Sequence, residues 1–160
     1  MQSFKIIKPI HILTPYVRYY WILEDGADVS VSERTLPTGC IQLVFHRGKR
    51  LLLVGKKESQ PQAFICGQCL NFSDVMSAGK IEMITVVFQP YAARAILQLP
   101  LKFFYGELIA VDAIEDLELS ILSRKVIEAD DHETCIRLIE QFLIHRLYRF
   151  EGYEYNLKRI

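Results

Sequence analysis

Along residues 16–24 the chain alternates, with Val17, Tyr19, Trp21 and Leu23 on one side and Arg18, Tyr20, Ile22 and Glu24 on the other, which is the period of a β-strand. Asp25-Gly26 reads as a turn, and a short strand is predicted over 31–36. Pro37-Thr38-Gly39 separates it from a strand over 40–46, where Ile41, Leu43 and Phe45 form the apolar set, and these two strands are expected to pair antiparallel. Arg47-Gly48-Lys49 is a turn signal ahead of a strand over 51–54, and the polar stretch 55–62 is expected to be a mobile surface loop. Further strands are predicted over 63–68, 72–76 and 81–88, so the first part of the chain holds about six or seven, the arithmetic of a sandwich or barrel.

The period changes at Pro90. The run 81–88 is β-branched and apolar, whereas Ala92, Ala93 and Ala95 beyond the proline suit a helix, predicted over 91–98. Asp112 and Glu115 have the spacing of a capping box, which starts a second helix running to about Ala129 with Ile114, Leu117, Ile121, Leu122 and Lys125 along one stripe. Asp130-Asp131, with Glu133 behind it, caps a third helix reaching Arg149, where His145, Arg146 and Arg149 suit the negative helix end. These elements predict an α+β fold: an antiparallel, barrel-like sheet followed by three helices, the last two forming an antiparallel hairpin. Residues 1–150 are read as one domain, with the β region over 1–89 and the helical region over 90–150, and residues 151–160 as a linker.

The bulk numbers narrow the function classes. The 160 residues carry 19 basic and 19 acidic side chains, so no overall positive field attracts a nucleic-acid backbone. No apolar run reaches the ~18 residues that span a bilayer and no signal-peptide pattern opens the chain, so no membrane partner and a cytoplasmic location are expected. The four cysteines, Cys40, Cys66, Cys69 and Cys135, are few and irregularly spaced, which favours free thiols.

Several motifs occur together in one order: Tyr16-Val17-Arg18-Tyr19-Tyr20-Trp21, the run from Leu36-Pro37-Thr38-Gly39-Cys40 to Phe45, Phe64-Ile65-Cys66-Gly67-Gln68, Val87-Phe88-Gln89-Pro90 with Ala92-Ala93, and Leu99-Pro100-Leu101. In this order they resemble the N-terminal domain of bacterial AraC-family transcriptional regulators, over roughly residues 10–150. The resemblance implies a cupin-like sensor domain whose helices dimerise and which is joined to a helix-turn-helix DNA reader. Only residues 151–160 follow here, against the ~100 such a reader occupies, so any DNA contact is expected through a domain this chain lacks. Related sequences often carry acids where this chain has Thr38 and Gln42, which implies a different ligand or none.

Catalytic apparatus is not visible. Cys66-Gly67-Gln68-Cys69 closes a strand rather than opening a helix, where a redox thiol would be activated. His46 alone lies in the strand region proper, His11 is remote, and His132 and His145 sit on the last helix, so no metal site, no cofactor and no enzyme are expected. The acid pairs Glu115-Asp116 and Asp130-Asp131 fall at helix starts, where capping accounts for them. A small-molecule effector would bind in the β region, with Trp21, Arg34, Gln42, His46 and Gln68 as candidate contacts; Gln42 and His46 share a strand face with Cys40 and Val44. Ile136, Ile139, Leu143 and Leu147 on the last helix are the candidate homodimer surface, with packing against the sheet as the competing use of that row. The predicted function is effector sensing and dimerisation within a transcriptional regulator. The alternatives are a β-barrel enzyme or carrier and an interaction module without a ligand.

Overall fold

The computed structural model describes residues 2–26, 32–35, 40–53, 58–67, 73–76, 79–90, 92–99 and 108–158. Ten strands form among them: β1 (Gln2–Ile7), β2 (Val17–Asp25), β3 (Ser32–Thr35), β4 (Gln42–His46), β5 (Leu52–Leu53), β6 (Glu58–Ser59), β7 (Ala63–Cys66), β8 (Ser73–Met76), β9 (Ile81–Phe88) and β10 (Ile109–Ala110). They make two antiparallel sheets, a larger one ordered β1-β2-β9-β4-β7-β10 and a smaller one ordered β3-β8-β5-β6. All seven expected strands are present, and β1, β6 and β10 are additional. The sheets remain open among the described residues.

The expected pairing of β3 with β4 does not occur. β4 lies between β7 and β9, and β3 pairs with β8. Burial explains the arrangement: β9 is buried at seven of its eight positions, on both faces, as a central strand must be, while β3 reads Ser-Glu-Arg-Thr and offers little apolar surface to such a position.

Three helices complete the α+β fold: α1 (Ala93–Leu97), α2 (Leu117–Glu128) and α3 (His132–Lys158). They cover one face of the larger sheet. Tyr20, Ile22, Leu43, Phe45, Ile65, Ile84 and Val86 meet Ile96 and Leu97 of α1, Leu119, Leu122 and Val126 of α2, and Ile139 and Leu143 of α3 in one buried cluster. Each such aliphatic side chain contributes roughly 1.5–3 kcal/mol by leaving water. α2 and α3 run antiparallel, since Val126 near the end of α2 meets Cys135 near the start of α3 while Asp116 at the other end meets Arg146.

Four helical expectations need correction. Asp112 does not cap α2: Val111–Ala113 form a 3-10 turn whose Val111, with Ile114, is buried against the core, and α2 starts later with Asp116 accepting from Leu119 N at 3.1 Å. The later start changes which side faces inward, so Leu119, Leu122, Ser123 and Val126 are buried while Leu117 is 76 % exposed. Ile136, Ile139, Leu143 and Leu147 are not an exposed row; they pack into the chain's own core, because the sheet needs an apolar cover that α2 alone is too narrow to supply. Residues 151–158, expected as linker, continue α3; they contain no proline, and a glycine such as Gly152 costs a helix only ~1 kcal/mol. Asp131 does cap α3 as expected, accepting from Thr134 N at 2.7 Å.

Candidate functional site

The register of the larger sheet sorts its residues onto two faces. On the face away from the helices, three cross-strand rows lie side by side: Tyr19, Val87, Gln42 and Cys66; then Trp21, Thr85, Val44 and Phe64; then Leu23, Met83 and His46. The period of two that placed Gln42, Val44 and His46 on one face is therefore observed, and it brings Trp21 there as well. Leu51, beside β5, packs with Val44, Phe64, Ile81 and Met83, so the small sheet reaches this face at its His46 end. Of the remaining candidates, Arg34 lies on β3 in the small sheet, and Gln68 lies outside the described residues.

His46 is fully buried. Its Nε2 lies 2.8 Å from Gln60 Oε1 and its ring stacks at a tilt on Phe64, with centroids 5.8 Å apart. Gln60 belongs to the stretch expected as a mobile loop, yet it is buried and its N–H bonds to Leu51 O at 2.7 Å, which corrects that reading up to the undescribed residues 54–57. Burial, with help from the Arg50 charge, lowers the His46 pKa despite the opposing bond to Gln60. A neutral ring donating from Nε2 to Gln60 presents a lone pair at Nδ1, and that atom has no partner among the described residues. Thr85 Oγ1, in the row between Trp21 and Val44, is likewise buried and unpartnered. Two orphaned polar atoms on one apolar face are costly, at about 1–3 kcal/mol each, unless something bonds to them.

The helix-facing side carries a second polar group. Arg47, the residue after His46, sends its guanidinium the other way, with Nε 2.7 Å from Glu82 Oε1 and the terminal nitrogens donating to Val126 O and Ala129 O at the end of α2 and to Cys135 Sγ. Glu82 stands opposite Glu24 in the β2–β9 register, and His132 at the start of α3 places Nε2 2.8 Å from Oε1 of each. Burial works against ionising Glu82, but the bonds from Arg47 and His132 outweigh it and hold its pKa below the usual carboxylate range. Burial raises the Cys135 thiol in spite of Arg47, so this cysteine is an unreactive one. The sequence reading missed this cluster because it sought metal-ligating histidines on strands, whereas His132 arrives from a helix; the facing glutamates become visible only once the register is known.

Two further contacts pin the helices. Glu140 Oε2 accepts from Tyr20 Oη and from Ile10 N, both at 3.0 Å, and burial together with the Glu140 charge drives the Tyr20 phenol pKa far upward. Arg146, 4 % exposed, donates to both Asp116 oxygens at 2.6 Å and to Leu97 O at 2.9 Å while its guanidinium lies over the Phe142 ring.

No curated protein matches the chain. A family profile described as "Domain of unknown function (DUF6597)" matches residues 5–110, more than half the sequence, from within β1 to the last residue of β10; the chain belongs to that family.

Proposed function

We propose that this chain is the effector-binding and dimerisation unit of a transcriptional regulator, a binding protein and not an enzyme, working in the cytoplasm and touching DNA only through an attached domain. In this reading the two sheets are the halves of a cupin-like receptacle, and the effector lies on the face carrying Trp21, Thr85, Gln42 and His46. The resemblance to AraC-family sensor domains supplies the regulatory part. The observation that carries the binding part is the pair of buried atoms, His46 Nδ1 and Thr85 Oγ1, without a partner among the described residues on a largely apolar wall. A lone pair and a hydroxyl suit a small uncharged ligand that brings an O–H or N–H group.

Occupancy would act by favouring one arrangement of the sheet relative to the helices clamped on its other face, and an attached domain would follow that arrangement. Trp21 is the chain's single tryptophan, so its fluorescence reports on this face alone. Small hydroxylated and amide metabolites should include a compound that changes Trp21 emission and raises the melting temperature of the native chain, with both effects lost in His46→Gln. A panel in which no compound does either, or a hit that binds His46→Gln equally well, would overturn the assignment.

A further inference from the structure

We propose that Glu24, Glu82 and His132 form a binding site for a divalent transition-metal ion, on the opposite side of the sheet from the effector face. One ligand atom from each residue lies within 4.8 Å of the other two, in a cluster joining β2, β9 and the start of α3. Glu24 and Glu82 are directly opposed in register, and like charges in that position repel unless a cation lies between them. Of the two glutamates, Arg47 pairs with Glu82. At Glu24 the polar contact among the described residues is His132 Nε2, which also lies 2.8 Å from Glu82. In either protonation state that nitrogen has at most one N–H, and one N–H cannot point squarely at two oxygens. An ion placed among the three atoms satisfies all of them.

The dimensions suit such an ion. Bonds of about 2.0–2.2 Å to imidazole nitrogen and carboxylate oxygen separate neighbouring ligands by about 3.4 Å in a tetrahedron, so the 2.8 Å contacts need open by only some half an ångström. Side-chain exposures of 48 % for Glu24, 30 % for Glu82 and 29 % for His132 leave an entry path and room for water in the remaining positions. Arg47, anchored on carbonyls at the end of α2, donates to the same Glu82 Oε1 that faces His132, and the second lone pair of that oxygen is left for the ion, as where an outer-shell donor orients a metal carboxylate. Two carboxylates less that one guanidinium leave a net negative charge facing the ion. One imidazole with two carboxylates favours borderline ions such as Zn2+ or Co2+, and the harder Mn2+, over soft Cu+.

Cobalt is the discriminating probe. Titrating Co2+ into chelator-treated native chain should show one ion per chain, visible d–d bands, no thiolate charge-transfer band in the near ultraviolet, and a rise in melting temperature. Glu24→Gln and His132→Gln should each weaken uptake by at least the ~10- to 100-fold that even an outer-shell change costs, while His145→Gln, on an exposed α3 residue, should leave it unchanged. If near-UV circular dichroism finds His132→Gln unfolded, Glu24→Gln decides. A dissociation constant on the order of millimolar, a thiolate band signalling cysteine ligation, or Glu24→Gln binding as tightly as the parent would each overturn the site.

Discussion

Protonating His46 in place would put a positive charge in a fully buried position against the Phe64 ring, with Gln60 as its hydrogen-bond partner among the described residues. An unfolded histidine takes up its proton near pH 6.5, whereas the folded His46 does so only at lower pH. Between those two values the unfolded chain binds more protons, so stability falls as pH drops below 6.5, by up to about 1.4 kcal/mol per pH unit. Urea unfolding at a series of pH values should find this slope in the native chain and a flatter one in His46→Gln. Parallel profiles would place the acid sensitivity elsewhere.

Among the secondary-structure elements, the helical hairpin depends on one acid used twice. Asp116 caps α2 through Leu119 N and neutralises buried Arg146 on α3. Asp116→Ala removes a cap worth ~1 kcal/mol and strips buried Arg146 of its two 2.6 Å bonds, leaving the more exposed Glu118 at 3.3 Å as its carboxylate partner among the described residues, so a loss of about 3 kcal/mol is expected in denaturant unfolding. Leu143 tests the other side of the same hairpin. Since it is fully buried in the chain's own core, Leu143→Ala should cost about 2–5 kcal/mol of stability and leave the native oligomeric state, read by light scattering, as it was. A variant that dissociates without losing stability would restore the row as an interface.

How far these elements were legible follows from how local their causes are. The strand β9 and its halt at Pro90 could be read directly, because a β-branched run and a proline act on their own backbone. The start of α2 could not: Asp112 and Asp116 both offer a cap, and the choice depends on Arg146, thirty residues away from Asp116. The partner of β3 was missed because nearness in sequence stood in for burial, which assigns the flanks of β4 to β7 and β9. At the site, alternation was enough to put Gln42 and His46 on one face. An unpartnered Nδ1, or two glutamates meeting a histidine from a helix, needs the register and the helix docking that no local pattern encodes.

In the molecule as a whole, one sheet separates two environments. Its outer face, under the edge of the small sheet, holds buried polar atoms in want of partners, while its inner face is fastened to the helices through Arg47, Tyr20 with Glu140, and the His132 cluster. The regulator reading also expects a homodimer, and with the α3 row consumed by the core any self-contact must use another surface. Light scattering of the native chain should give twice 18.6 kDa; a single-chain mass at high concentration would remove dimerisation from the proposal.

His46, the last residue of β4, and Arg47, which follows it, send their side chains toward opposite sides, one to the Phe64 ring and the other to the carbonyls that end α2. The distance between the two environments is thus the width of a single amide plane. If a ligand seated itself against the imidazole and tilted that plane, the guanidinium's root would tilt with it, and the turn between α2 and α3 would be reached with no intervening chain of side chains.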